Sequence, residues 1–189
     1  LDDPALPQDA DARQLGLIQH LRRYGDHQAV RNSLDRLQDP AWLEAWDQAL
    51  RCTAGQKVLF LGSELGILAL RALAHGARVV HVVETQPLPA RISAGIVQKH
   101  KLTAWHAAHG AQIAGWTEDE RQRSFEAFAS NIDVVPPDSE ILQEANYDCF
   151  VFPDIDHSLL GTGLAGAIKK FAAGKMKPGA TLLPGKARL

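Results

Sequence analysis

The stretch Lys57 to Glu84, KVLFLGSELGILALRALAHGARVVHVVE, decides the fold. An apolar run, Val58 to Leu61, meets a glycine turn, Gly62 to Gly66. A helical pattern follows, and a second apolar run ends in Glu84. This is the plan of a βαβ unit that holds a nucleotide. The first strand delivers the ligand to a helix N-terminus, and an acid about 20 residues on holds the ribose. Gly62 and Gly66 let the backbone bend and approach a ligand closely. The helix is expected to begin near Leu65, with its free N–H groups aimed at the cleft. A carboxylate at Glu84 can accept both hydroxyls of a ribose.

Outward from that stretch, strands alternate with helices, which predicts an α/β domain with a mostly parallel sheet and helices on both faces. Residues 1 to 10 read as a disordered lead-in, and Asp11 to Leu50 as helical, with Leu15, Ile18 and Leu21 at three-residue spacing. Asp39-Pro40 supplies an N-cap and a proline at the first helical position. Trp42 and Trp46 share one face of the helix that follows. That helix reads either as packed on the core or as a lid over a ligand cleft. A helix is expected near Ala90 to His100, then one or two amphipathic helices across Thr103 to Asn131, the second opened by Thr117 and Glu120 as a capping box. Short strands are expected at Ile132 to Val135 and Tyr147 to Phe152, and a helix at Leu164 to Ala173. Lys177-Pro178-Gly179 reads as a turn before a last strand, Ala180 to Leu183. The domain plan is a helical segment over 1–50, as lid or linker, and a nucleotide-binding domain over 51–189 with a helical insertion at 103–131.

Composition narrows the class. The 189 residues are 46% hydrophobic, enough for one domain with a real core. A net charge of −2 supplies no basic field for nucleic acid. No apolar run approaches the ~20 residues of a membrane span. The acidic, polar start is no signal peptide, and a cytoplasmic protein is the default. The chain opens on Leu, as a piece of a longer protein would. Cys52 and Cys149 form no disulfide framework, and each reads as a small buried apolar residue. His106 and His109 lie at i, i+3, but no Cys or acid cluster completes a metal set. Ser63 in GSELG sits one place early for the nucleophile elbow of a hydrolase.

Two further motifs make the reading specific. The glycine turn resembles motif I of class I S-adenosylmethionine-dependent methyltransferases, and most of all that of the protein arginine methyltransferases. That family reads V-L-D-x-G-x-G-T-G-I-L-S, then A-x-x-V-x-A-V-E. Val58, Leu59, Gly62, Gly66, Ile67, Leu68 and Glu84 fall in register. MKPGATLLPGKARL is similar to the family's L-K-P-G-G-x-L-L-P-x-x-A-x-L, which leads into a β-barrel domain. FPDIDHSLLGTGL resembles the substrate loop of the tandem-module branch, with Asp156, Gly161 and Gly163 matching. The resemblance covers about residues 39 to 189, apart from 103–131.

The resemblance implies a Rossmann-like methyltransferase domain with S-adenosylmethionine as cofactor, a barrel beyond residue 189, and homodimerisation through regions outside this chain. It implies a protein or peptide acceptor; on the charge and hydropathy above, neither nucleic acid nor membrane is expected as partner. The cofactor-binding set it gives is Gly62, Ser63, Gly66, Glu84 and Asp138, with Asp138 facing the adenine. Asp154, Asp156 and His157 are the candidates for taking the acceptor's proton. Five positions depart from the family. Phe60 replaces the acid that ends the first strand, Glu64 the middle glycine, and Trp42 the Arg that pairs with the cofactor's carboxylate. Pro153 and Thr162 stand where two glutamates clamp a guanidinium. Such a clamp relies on charge-assisted bidentate bonds that neither residue can make. The chain therefore reads as an arginine methyltransferase-like enzyme with a degenerate site, or as an inactive relative kept as a binding module.

Overall fold

The computed structural model describes residues 12–143, 146–153, 166, 169 and 174–184. Helix α1 (Ala12–Leu37) is followed by α2 (Pro40–Leu50). Their break is local chemistry. The residue before a proline is driven to extended backbone, and Asp39 sits at φ −90°, ψ 106°. Its carboxylate then accepts from the N–H groups of Ala41 (2.9 Å) and Trp42 (3.2 Å). Next come β1 (Lys57–Leu61), α3 (Ile67–Ala74) and β2 (Val79–Val83), the βαβ unit of the sequence. Helices α4 (Pro87–Ile113) and α5 (Glu118–Ala129), then β3 (Ile132–Val135), β4 (Tyr147–Val151) and β5 (Met176–Leu183), complete the described chain.

The five strands are all parallel, in the order β3-β2-β1-β4-β5. Strand order reverses beside β1, and in open α/β sheets a ligand sits at that switch point, outside the carboxyl ends of the strands. Both faces of the central strands β1, β2 and β4 are buried, so these strands are nearly continuous apolar runs. Val58 and Phe60 of β1 join Leu68, Leu73, Val97 and Trp105 on the helical side. Leu59 and Leu61 join Tyr147, Phe150 and Phe152 on the other. Full burial of one such large side chain stabilises by about 1.5–3 kcal/mol. The rings of Trp42 and Trp46 meet at a tilt, with centroids 5.9 Å apart; Trp46 lies in the core and Trp42 packs against it, so α2 is a core helix and not a lid.

The structure revises several local expectations. The helix near Ala90 to His100 runs on without a break to Ile113, carried by buried Val97, Ala104 and Trp105 through the glycines at 95 and 110. Only α5 then remains of the separate helices expected over 103–131. Its capping box is present: Glu120 N–H donates to Thr117 Oγ1, and Thr117 N–H to Glu120 Oε2 at 2.7 Å. Lys177 to Gly179 do not end a turn but lie inside β5. Tyr147 pairs with Met176 and Cys149 with Thr181, so β5 bulges between them, with Gly179 at φ +79°. Cys149 is buried, its thiol pushed up to about 12 by loss of water, whereas Cys52 is exposed. The helix expected at Leu164 to Ala173 lies outside the described residues except Gly166 and Lys169. Among the described residues no helix is long and apolar enough to cross a membrane.

Candidate functional site

A cavity of about 590 Å³ opens at the carboxyl ends of β1 and β2. Its size is that of a small-molecule site. The floor is the turn Gly62 to Leu65, and one wall is the end of β2, Glu84 to Gln86. The roof is α1: Tyr24, Gln28, Asn32 and Arg36 recur at every fourth position, so they share one helix face, with Gly25, Ala29 and Ser33 beside them. This face is polar because it looks into the cavity and not onto the apolar core. Gln28 and Asn32 are linked by a 2.8 Å hydrogen bond along it.

The turn is tightly coiled. Gly62, Glu64, Leu65 and Gly66 all adopt positive φ, at +72°, +49°, +58° and +88°. Left-handed backbone costs a residue with a Cβ about 1–2 kcal/mol, so Glu64 and Leu65 store strain here. At Gly62 an added Cβ would meet nothing within 4 Å, so the backbone lies open to the cavity. At Gly66 a Cβ would stand 2.8 Å from Val97 Cγ2, so this glycine lets α3 approach α4. The N–H groups at the start of α3 are largely engaged within the turn. Gly66 N–H donates to Ser63 Oγ (2.9 Å), Ile67 N–H to the Glu64 carbonyl (3.2 Å) and Leu68 N–H to the Ser63 carbonyl (3.1 Å). The expectation of a helix N-terminus aimed at the ligand is thereby corrected for these three groups, because the coiled turn supplies its own acceptors.

Two acids face this space. Glu84 Oε1 accepts from the hydroxyls of Ser63 and Ser93, each at 3.0 Å. Burial pushes its carboxyl above the ordinary range; the serine hydrogen bonds oppose this, and nearby Glu64 adds to it. Ser63 thus bridges Glu84 and the turn, with its hydroxyl engaged at both ends. Glu64 is held differently. Its side chain is 2% exposed, and its Oε1 pairs with Arg36 Nη2 at 2.9 Å. Its Oε2 is buried with no hydrogen-bond partner.

Of the sequence-derived site residues, Gly62, Ser63 and Glu84 line the cavity, and Gly66 shapes the turn behind it. Asp138 is exposed in the turn after β3, and is not among the lining residues. Asp154, Asp156 and His157 lie outside the described residues. Phe60 and Trp42 belong to the core side and leave the cavity clear. Pro153 is buried directly after Phe152, which lines the cavity. Arg36 escaped sequence reasoning. The available signal was the polar four-residue repeat from Tyr24, unusual on a helix that otherwise needs an apolar stripe.

No protein-family model and no curated protein sequence matches the chain. Solved structures do. Protein arginine methyltransferase 10 of Arabidopsis thaliana superposes with a TM-score of 0.56 at 19% identity, over 78% of this chain and 36% of that one. The PRMT1 enzyme–prozyme heterotetramer of Trypanosoma brucei, solved with AdoHcy, gives 0.57 at 17% identity, over 80% of this chain and 41% of that one. This chain thus spans well under half the length of either. The five-stranded parallel sheet with its flanking helices is the Rossmann-like class I methyltransferase fold, of the kind these protein arginine methyltransferase structures have.

Proposed function

We propose that this chain is the cofactor-binding portion of an S-adenosylmethionine-dependent, protein arginine methyltransferase-like protein with a degenerate acceptor site. The observation that carries the reading is Glu84. It lies at the end of β2, oriented by Ser63 and Ser93, in a cavity of ligand size above the open backbone of Gly62. A carboxylate so placed suits a pair of ribose hydroxyls. The residues therefore fit the nucleoside half of the cofactor. When bound, S-adenosylmethionine would supply an electrophilic methyl group. The chain's own part is to bind and orient: Glu84 would take the ribose, Gly62 would admit close approach, and the α1 face would keep water from above. Asp154, Asp156 and His157 remain the proposed acceptors of a proton.

The acceptor side departs from arginine chemistry. A guanidinium needs paired carboxylates, and Pro153 offers no acceptor side chain where the family pattern has one. An acceptor other than arginine, on a protein or peptide, follows for an active enzyme. The same proline favours a second reading, a catalytically inactive module that retains the fold for binding or assembly; the Trypanosoma brucei structure of this fold is an enzyme–prozyme heterotetramer. Both readings share nucleoside binding. Calorimetric titration of the 189-residue chain with S-adenosylhomocysteine tests it. Saturable heat, with affinity about 10–100-fold lower in Glu84→Gln, is expected from loss of a charge-assisted hydrogen bond. No heat and no thermal shift at millimolar ligand would sink the proposal.

A further inference from the structure

Ser93 is fully buried on α4, in the middle of a stripe that also buries Pro89 and Val97. An alanine would pack there without needing a partner, whereas a buried hydroxyl is costly unless it is bonded. A serine inside a helix commonly bonds back to the carbonyl four residues earlier. The Ser93 hydroxyl instead donates to Glu84 Oε1 at 3.0 Å. Gly66 allows this approach, since a Cβ there would stand 3.1 Å from the Ser93 carbonyl oxygen. Ser63 donates to the same carboxylate oxygen, also at 3.0 Å. A carboxylate has about four acceptor sites, two on each oxygen. The two hydroxyls occupy Oε1, so Oε2 is the oxygen left to meet the hydroxyls of a ligand. The serines differ in their other duties. Ser63 Oγ also accepts from Gly66 N–H, so it holds the turn together. Among the described residues the Ser93 hydroxyl serves Glu84 alone.

We infer that Ser93 is a positioning residue for nucleoside binding, which with Ser63 fixes Oε1 of Glu84 and so presents Oε2 to the hydroxyls of a ribose. The inference rests on the nucleoside reading of the site and adds a residue to it. The same hydroxyl helps to keep the carboxylate ionised. Burial and the charge of Glu64 favour the protonated form, and the hydrogen bonds from Ser63 and Ser93 oppose them. A protonated Glu84 offers fewer acceptor sites to a diol. Arg36 and Glu64 are the other charged side chains among the described residues that line the cavity, and no histidine is among them. Replacing Ser93 leaves both in place, so its effect on binding reports on Glu84.

The pH profile of binding tests this role. The affinity for S-adenosylhomocysteine is measured calorimetrically between pH 8 and pH 5 for the 189-residue chain and for Ser93→Ala, with cooperative melting confirmed at each pH. Ser93→Ala is expected to bind about threefold more weakly at pH 8, widening to about tenfold at pH 5, because its Glu84 takes up a proton at higher pH. Should Ser93→Ala fail to melt cooperatively, Ser93→Cys, which nearly keeps the volume but offers only a weak donor, replaces it. A purely structural role would lower the affinity by one factor at every pH. A ratio of affinities that does not widen as pH falls would therefore overturn the inference while leaving the nucleoside reading intact. Failure of the unaltered chain to bind at any pH would overturn the nucleoside reading and this inference together.

Discussion

Glu64 and Glu84 are two carboxylates lining one cavity, in opposite surroundings. Glu84 is held by two neutral hydroxyls, and burial pushes its carboxyl up. Glu64 is held by a guanidinium from α1 and sealed from solvent on its far oxygen. The first is a polar group short of charge compensation, the condition in which a ligand's hydroxyls stabilise it. The second is already compensated, so it fastens the roof to the floor and takes the cation out of use. An acid's role here follows from what its partner is, not from its distance to the ligand.

The largest effect should come from breaking the compensated acid. Arg36→Met leaves Glu64 buried without its cation and should destabilise by about 3 kcal/mol, the low end for a buried pair because Arg36 is itself 28% exposed. Urea denaturation measures it, and adding Glu64→Gly to the same chain should recover the part that comes from the stranded carboxylate. Next, Gly66→Ala forces a Cβ against Val97 Cγ2 at a positive φ, and should cost about 2 kcal/mol by strain and overpacking.

Glu84→Gln sharpens the contrast from the other side. The folded-state pKa of Glu84 is raised by burial, so the folded chain binds its proton more readily than the unfolded chain does. Stability is therefore lost as pH rises above the ordinary carboxyl value of 4.5. The Gln variant should melt higher than the parent at pH 7, lose that advantage near pH 4, and bind S-adenosylhomocysteine about 10–100-fold more weakly. A variant that binds and melts like the parent would remove Glu84 from the site.

The smallest effect lies away from the cavity. His81 Nδ1 and the Tyr147 hydroxyl share a buried 2.6 Å hydrogen bond. Burial, with help from Lys57, holds the imidazole below its ordinary 6.5. A lowered histidine pKa means that the unfolded chain takes the proton first. Stability should fall as pH drops below about 6.5, and His81→Gln should flatten that slope in melts between pH 5 and 7.

Much of this was legible in the sequence. Val58 to Leu61, the two glycines and Glu84 placed the βαβ unit, because apolar runs and positive-φ turns are local properties. Asp39-Pro40 and Thr117 with Glu120 marked helix starts for the same reason. The failures were non-local. Each of the α4 glycines at 95 and 110 costs only about 1 kcal/mol in a helix, and packing against the sheet overrides it. Glu64 read only as a departure from the family's middle glycine, since nothing in the turn itself reveals an arginine arriving from α1. The bulge at Lys177 to Gly179 looked like a turn because its pairing with β4 depends on register.

The central claim is that Glu84 holds the ligand and Glu64 does not. Its most direct test is one calorimetric series with S-adenosylhomocysteine on the parent chain, Glu84→Gln and Glu64→Gln, with cooperative melting confirmed for each. The account expects a loss of about tenfold or more for Glu84→Gln and an affinity within about threefold of the parent for Glu64→Gln. A loss in Glu64→Gln with Glu84→Gln unaffected would contradict it.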